Sequence, residues 1–152
     1  MSTIIWAFAA FAIATQSTGQ KPVEYPFKQI EQGGFSRLRT PQVFVIKSAD
    51  DYQAYNKTCG REVATPMIDW TQNQLLAIHI GPAPTTGYAA VVKRIVKTGP
   101  NTVDVEVTKT IPAPRHMVAM HVTYPWAIVR TTRFTESVKL KVLPADKPAG
   151  QQ

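Results

Sequence analysis

The chain has few of the residues that form recognisable active sites or disulfide-linked folds. It has a single cysteine, Cys59, so no disulfide can form within the chain. Its three histidines match no familiar zinc spacing; they are His79, His116 and His121. It has only ten acidic residues, no glycine-rich phosphate loop and no G-x-S-x-G elbow. We therefore expect no enzyme, no metal, no cofactor and no small-molecule ligand.

Long runs of like charge are also absent. The formal net charge is +7, but no run of five or more basic residues occurs, as a nucleic-acid-binding arm would show. We expect no nucleic-acid partner. The charge fits a solvated surface, and it also fits an anionic envelope polymer or an acidic protein partner.

The first charged residue is Lys21, and an uncharged apolar run fills residues 4–14. As a helix this run would be about 17 Å long, against roughly 30 Å of bilayer hydrocarbon, so we expect no stable membrane span. Its length and the small residues Ala12 and Ala14 are typical of a signal peptide, although it lacks a basic n-region. We predict a signal peptide over residues 1–14 and a periplasmic or extracellular protein; the alternative is an apolar strand or a disordered start.

The remaining sequence predicts one domain. Residues 15–34 are polar and contain prolines and glycines, which indicates a linker, and residues 144–152 form a polar tail. Between them, residues 35–143 are expected to fold as a mainly β domain with one short helix. Ser48 is a helix N-cap residue and Gly60 a stop, so the helix should end near Thr58.

Alternation of apolar and polar residues predicts the strands. The candidate strands are residues 35–39, 42–46, 75–80, 89–96, 103–107, 118–124, 127–131 and 138–142. Strands this close together in sequence favour an antiparallel sandwich or a curled sheet. The pattern places His79 and His121 on the same side of neighbouring strands. The alternatives are a metal site, for which two histidines without further ligands are a weak case, and two partly exposed strand residues, which we expect.

The loop between the strands at residues 75–80 and 89–96 is the first candidate site. It reads GPAPTTGY, and its two prolines stop the strand and stiffen the backbone. A stiff loop loses little entropy on binding. The predicted contact residues are Pro84, Thr85, Thr86, Gly87 and Tyr88, with both threonines facing outward. The alternative is a turn made by Gly87, with Tyr88 beginning a core strand.

The second candidate site is Tyr124-Pro125-Trp126. Tyrosine and tryptophan are common among the residues that dominate binding interfaces, so this triplet is expected to form an aromatic contact patch. The alternative is a proline-induced bulge whose aromatic rings fill the core.

These two segments resemble the PrcB C-terminal domain family, an accessory subunit of an exported bacterial protease complex. The resemblance lies in PTTGY at residues 84–88 and TYPW at 123–126 followed by Val129-Arg130, and it extends over roughly residues 35–134. Thr86 stands where a second glycine is usual, and Trp126 replaces a different aromatic. The resemblance implies a β domain that binds a protein partner, with a protease as the candidate.

The resulting functional prediction is an exported, non-catalytic protein-binding module that assists or stabilises a protease complex. The alternative is a proteinase inhibitor, since PTTGY and YPW also resemble two loops of the chagasin-like inhibitors. That resemblance is partial, because Ala83 and Tyr124 replace the expected asparagine and arginine and no GG loop lies between the motifs.

Overall fold

The computed structural model describes residues 21–114 and 116–146. The predicted signal peptide at 1–14 lies outside these residues, as do the first part of the predicted linker and most of the predicted tail. The elements are β1 (Phe27–Gly33), β2 (Gln42–Ile46), α1 (Ala49–Cys59), β3 (Asn73–His79), β4 (Ala89–Gly99), β5 (Thr102–Thr110), β6 (Trp126–Thr132) and β7 (Ser137–Val142).

The strands form two sheets, which confirms a mainly β, sandwich-like domain with one helix. One sheet has the order β1-β6-β3-β2 and is antiparallel throughout. The other has the order β4-β5-β7, in which β4 and β5 are antiparallel and β5 and β7 are parallel. The parallel pair departs from the expected all-antiparallel arrangement. It is possible because a long connection, residues 111–136, separates β5 from β7 and contains β6 of the other sheet.

Local signals set the ends of α1. The Ser48 side chain accepts a hydrogen bond from the backbone N–H of Asp51, and Asp50 and Asp51 occupy the positive end of the helix. At the other end Gly60 has φ +64° and its N–H caps the Lys57 carbonyl. The predicted helix and both of its boundary residues are confirmed.

Apolar side chains are buried in two layers. The first lies between the sheets and contains the inward residues of β3, β4, β5 and β6, such as Leu76, Ile78, Ile95 and Val105. The second lies between the four-stranded sheet and α1, where Tyr52 and Tyr55 pack against Leu75 and Ile128. Each fully buried aliphatic contributes about 1.5–3 kcal/mol, so both layers stabilise the domain. The four-stranded sheet is consequently covered on both faces.

Three predictions made from sequence patterns are wrong. The predicted linker, residues 15–34, extends too far toward the C-terminus, because residues 27–33 form β1, which pairs with β6 at the edge of the four-stranded sheet. Residues 35–39 form no strand and cross the end of the sheet as an irregular segment. Residues 118–124 also form no strand, apart from one bridge between Thr123 and Ala83. In the last two cases no neighbouring strand supplies ladder partners.

Within residues 21–114 and 116–146, no helix is long and apolar enough to cross a membrane.

Candidate functional site

The conformation of the loop at residues 81–88 requires two glycines, because both have a positive φ. Gly81 has φ +76° and Gly87 has φ +87°, a region that other L-residues rarely adopt. A Cβ atom at Gly87 would lie 2.9 Å from Pro112 Cγ, so the backbone there packs directly against the segment after β5. The loop is thus a packed element of the domain.

A second segment, residues 116–123, crosses this loop, and we call it the strap. Ala83 and Thr123 exchange both backbone hydrogen bonds, at 2.8 and 2.9 Å. Further along, the Thr86 N–H donates to the Ala119 carbonyl at 3.1 Å, and the Ala119 N–H donates to Thr86 Oγ1 at 2.8 Å. These bonds join the two sequence motifs into one surface at the end of the sandwich.

Both threonines serve this internal junction. Thr86 accepts from the strap as described, while the Thr85 carbonyl accepts from the Thr123 hydroxyl at 2.9 Å. Both residues are half-buried rather than turned outward. The prediction that they are presented to solvent is therefore wrong. The Thr86 hydroxyl bonds to the backbone of the strap, while the Thr85 carbonyl bonds to the Thr123 side chain and the Thr85 hydroxyl donates to the Thr86 carbonyl. Pro84 and Gly87 are exposed, and Tyr88 is half-buried.

The Tyr124-Pro125-Trp126 triplet is placed mostly in the core. The Trp126 side chain is only 9% exposed, its Nε1–H donates to the Phe35 carbonyl at 2.9 Å, and the Arg61 guanidinium lies 4.3 Å from its ring centre. Pro125 is also buried. These two residues support the surface from beneath and their side chains cannot form the predicted contact patch. Tyr124 alone is half-exposed, with the guanidinium of Arg39 5.9 Å from its ring centre.

The side chains that do reach solvent here are large and apolar. Met117 is fully exposed, Met120 is 85% exposed, and Phe35 on the neighbouring irregular segment is 65% exposed. Val122 is exposed as well, and the His121 ring stacks on the Phe35 ring with centres 5.6 Å apart. We call these exposed residues of the strap and of the segment stacked against it, Phe35, Met117, Met120 and Val122, the apolar face. Large apolar side chains grouped on a surface indicate a binding region more often than scattered ones do.

Sequence reasoning missed this face because the alternation of residues 118–124 predicted a strand with one buried side. The available signal was the composition of the strap, which contains two methionines and two histidines but no acidic residue. Methionine is adaptable and is common at surfaces that accept varied partners.

His79 belongs to a buried polar network, and the expectation that it is partly exposed is wrong. It lies in the central strand β3, whose outer face is covered by α1, and it is 1% exposed. Its Nδ1 lies 3.1 Å from Ser36 Oγ and its Nε2 lies 3.1 Å from the Tyr55 hydroxyl. Burial, together with the nearby positive charge of Arg61, lowers the pKa of His79 to about 4.

Burial also raises the pKa of the Tyr55 hydroxyl and of the Cys59 thiol, which lie in the same layer. A neutral imidazole donates through one ring nitrogen and accepts through the other, so both of its bonds are satisfied without a charge. The network ties the Ser36 segment, which carries Phe35, to the helix. In the described part of the chain, no three His, Cys, Asp or Glu side chains come together as metal ligands.

A comparison with known families matches this part of the chain. The family model described as PrcB C-terminal matches residues 75–132, which run from β3 through the loop and the strap to the end of β6. Comparisons with curated proteins and with solved structures gave no match. The matched segment contains both sequence motifs and the hydrogen bonds that join them.

Proposed function

We propose that this chain is an exported, non-catalytic protein-binding module. The basis is the match of residues 75–132 to the PrcB C-terminal family model. Its contact surface would be the apolar face, together with the exposed edge of the loop at Pro84 and Gly87. The partner would be a protein of the cell envelope, and by the family resemblance a component of a protease complex.

One observation carries the proposal: a rigidly anchored strap that exposes methionines. Five hydrogen bonds join the strap to the loop, through Ala119 and Thr123 of the strap. The side chains of Met117 and Met120 nevertheless remain exposed. Because the backbone is already ordered, little conformational entropy remains to be lost on binding. The exposed methionines and Phe35 would then supply buried apolar area at an interface.

Charge around the face favours an acidic partner. The Arg39 guanidinium lies 5.9 Å from the centre of the Tyr124 ring, next to the strap. The whole chain has a net charge of +7. Complementary charge mainly raises the association rate and the selectivity of an encounter, while the apolar centre supplies most of the affinity.

Among the described residues, the two motifs do not expose the side chains that a proteinase inhibitor would insert into an active-site cleft. An inhibitory loop must present its recognition side chains to a cleft, whereas the hydroxyl of Thr86 is bonded to the strap and the Trp126 ring is buried. We therefore base the proposal on assistance to a partner rather than on insertion into an active site.

The test is site-specific photo-crosslinking in the native envelope, followed by binding measurements with the purified partner. A photo-reactive group replaces Met120, and the matched control carries it at Met67, which is exposed but lies far from the strap in sequence. We expect a specific protein adduct from position 120 only. Binding of that protein should weaken by about tenfold or more in a Met117→Ser, Met120→Ser double variant, since each loses a large apolar contact.

The Met67→Ser control should bind like the wild type. Equal crosslinking from both positions, or unchanged affinity in the double variant, would show that the apolar face is not the contact surface. Saturable binding to anionic lipid vesicles that the double variant abolishes, with no protein adduct, would also overturn the proposal, because it would identify a membrane surface as the occupant.

A further inference from the structure

A second concave region lies beyond the end of α1, separate in composition from the apolar face. It is a cleft of about 470 Å³ between the last turns of the helix, the residues that follow it and the irregular segment before β2. Its polar and charged lining residues are Arg37, Gln53, Asn56, Lys57, Arg61 and Glu62.

The lining carries an excess of positive charge. Arg61 is paired with Glu31, but no carboxylate of residues 21–114 and 116–146 lies within ion-pair distance of Arg37 or Lys57. Glu62 is the one acidic residue in the lining. A cleft with uncompensated cations favours an anionic group, since charge complementarity raises both affinity and selectivity.

Two polar atoms in this lining lack partners in the described part of the chain. The Arg61 guanidinium lies 4.3 Å from the centre of the Trp126 ring and donates through Nη2 to Glu31, while its Nη1 has no acceptor in the described residues. Asn56 is only 4% exposed; its Nδ2 donates to the Val63 carbonyl at 3.3 Å, and its Oδ1 has no donor. Buried polar groups are nearly always satisfied, so each such exception calls for an explanation.

The two unpaired atoms require opposite kinds of partner. Arg61 Nη1 needs an acceptor, for which a carboxylate is the best match, and Asn56 Oδ1 needs an N–H donor. The last residue of a peptide offers both groups, a carboxylate and the amide N–H beside it. We propose that this cleft binds the free C-terminus of a peptide, with Arg37 and Lys57 contributing charge at the rim.

Access requires one side chain to move. Both unpaired atoms are closed to bulk water, and the Arg37 guanidinium packs across Gly60 so closely that a Cβ atom there would overlap it. Arg37 is exposed and has no ion-pair partner among residues 21–114 and 116–146. It can therefore swing toward an incoming carboxylate without losing a salt bridge.

The test is an NMR titration of the isotope-labelled chain with N-acetylated tri-alanine, compared with its C-terminal amide and with acetate. We expect saturable shifts of the Asn56 side-chain amide and the Arg61 Nε–H with the free acid only. Equal binding of the amidated peptide would overturn the proposal, because it would show that the carboxylate is not recognised. Equal binding of acetate would also overturn it, because the N–H donor would then contribute nothing.

Two variants localise the effect. Asn56→Asp replaces the open acceptor with a negative charge and should abolish binding, while Arg37→Gln should weaken it by about threefold to tenfold, the range of a partly exposed charge pair. The control is Lys139→Gln, an exposed lysine on β7, which should leave affinity unchanged. If Asn56→Asp fails to fold, Arg37→Gln decides the matter, since Arg37 is exposed; unchanged affinity in that variant would refute the site.

Discussion

The buried imidazole of His79 makes the stability of this domain depend on pH in a window that can be calculated. In the unfolded chain a histidine has a pKa of about 6.5, whereas in the folded domain the pKa of His79 is lowered to about 4 by burial and by Arg61. Between these values the unfolded chain binds a proton that the folded chain excludes. Stability should therefore be highest above about pH 6.5 and fall as the pH is lowered toward 4.

The size of the effect follows from the difference between the two pKa values. One pKa unit corresponds to 1.36 kcal/mol, so His79 should remove about 3 kcal/mol of unfolding free energy over the whole window, and roughly 2.5 kcal/mol between about pH 7.5 and 4.5. For a domain of this size that is a large part of the total stability. The groups facing His79 are Ser36, Tyr55 and the ring of Phe44, and none of them is an acid that would offset the protonation.

The assay is urea unfolding of the wild type and of a His79→Gln variant at a series of pH values. Glutamine keeps a donor for Tyr55 but does not titrate, and His116 and His121 are present in both proteins, so their contributions cancel in the difference. The wild type should lose its advantage over the variant as the pH falls. A difference that stays constant from about pH 7.5 to 4.5, or a His79 ring that titrates near 6.5 by NMR, would refute the reasoning.

Two further predictions concern the loop and the N-terminus. Gly87→Ala should destabilise the domain by about 1–3 kcal/mol in urea unfolding, because φ is +87° and the new methyl group would meet Pro112. The control is Gly34→Ala, where nothing lies within 4 Å of the new methyl group, and it should change stability by less than about 0.5 kcal/mol. Similar losses in both variants would contradict the assigned loop conformation. Intact-mass measurement of protein from its native host should find a chain beginning at Thr15 after cleavage behind Ala14, and a cytoplasmic species that retains residues 1–14 would remove the basis for export.

The elements that sequence patterns predicted correctly are those with local causes. The helix was delimited by Ser48 and Gly60 because capping depends on a few neighbouring residues. Strands β5 and β7 followed from alternation because each presents one face to the core. The parallel pairing of β5 with β7 has no local signature, since it depends on where β6 and the long connection are placed.

The errors arise where a pattern needs a partner that the sequence does not specify. The strap alternates like a strand, but its backbone groups bond to the loop at Ala83 and Thr86 rather than to a neighbouring strand. Of its residues only Thr123 is buried. Strand β1 was missed for the converse reason: it is polar and half-exposed, and its strand conformation comes from pairing with β6. His79 alternates onto a face that only the packing of α1 covers.

These errors change how the two sequence motifs relate to function. The sequence predicts two contact loops, with the threonines of one and the Trp126 ring of the other among the contact residues. In the structure those residues make contacts within the domain: Thr86 bonds to the strap, and Trp126 donates to the Phe35 carbonyl and contacts the Arg61 guanidinium. The exposed apolar side chains lie beside them, on Met117, Met120 and Phe35. The proposed partner contact therefore rests on the apolar face, because the motif side chains Thr86 and Trp126 are engaged in contacts within the domain.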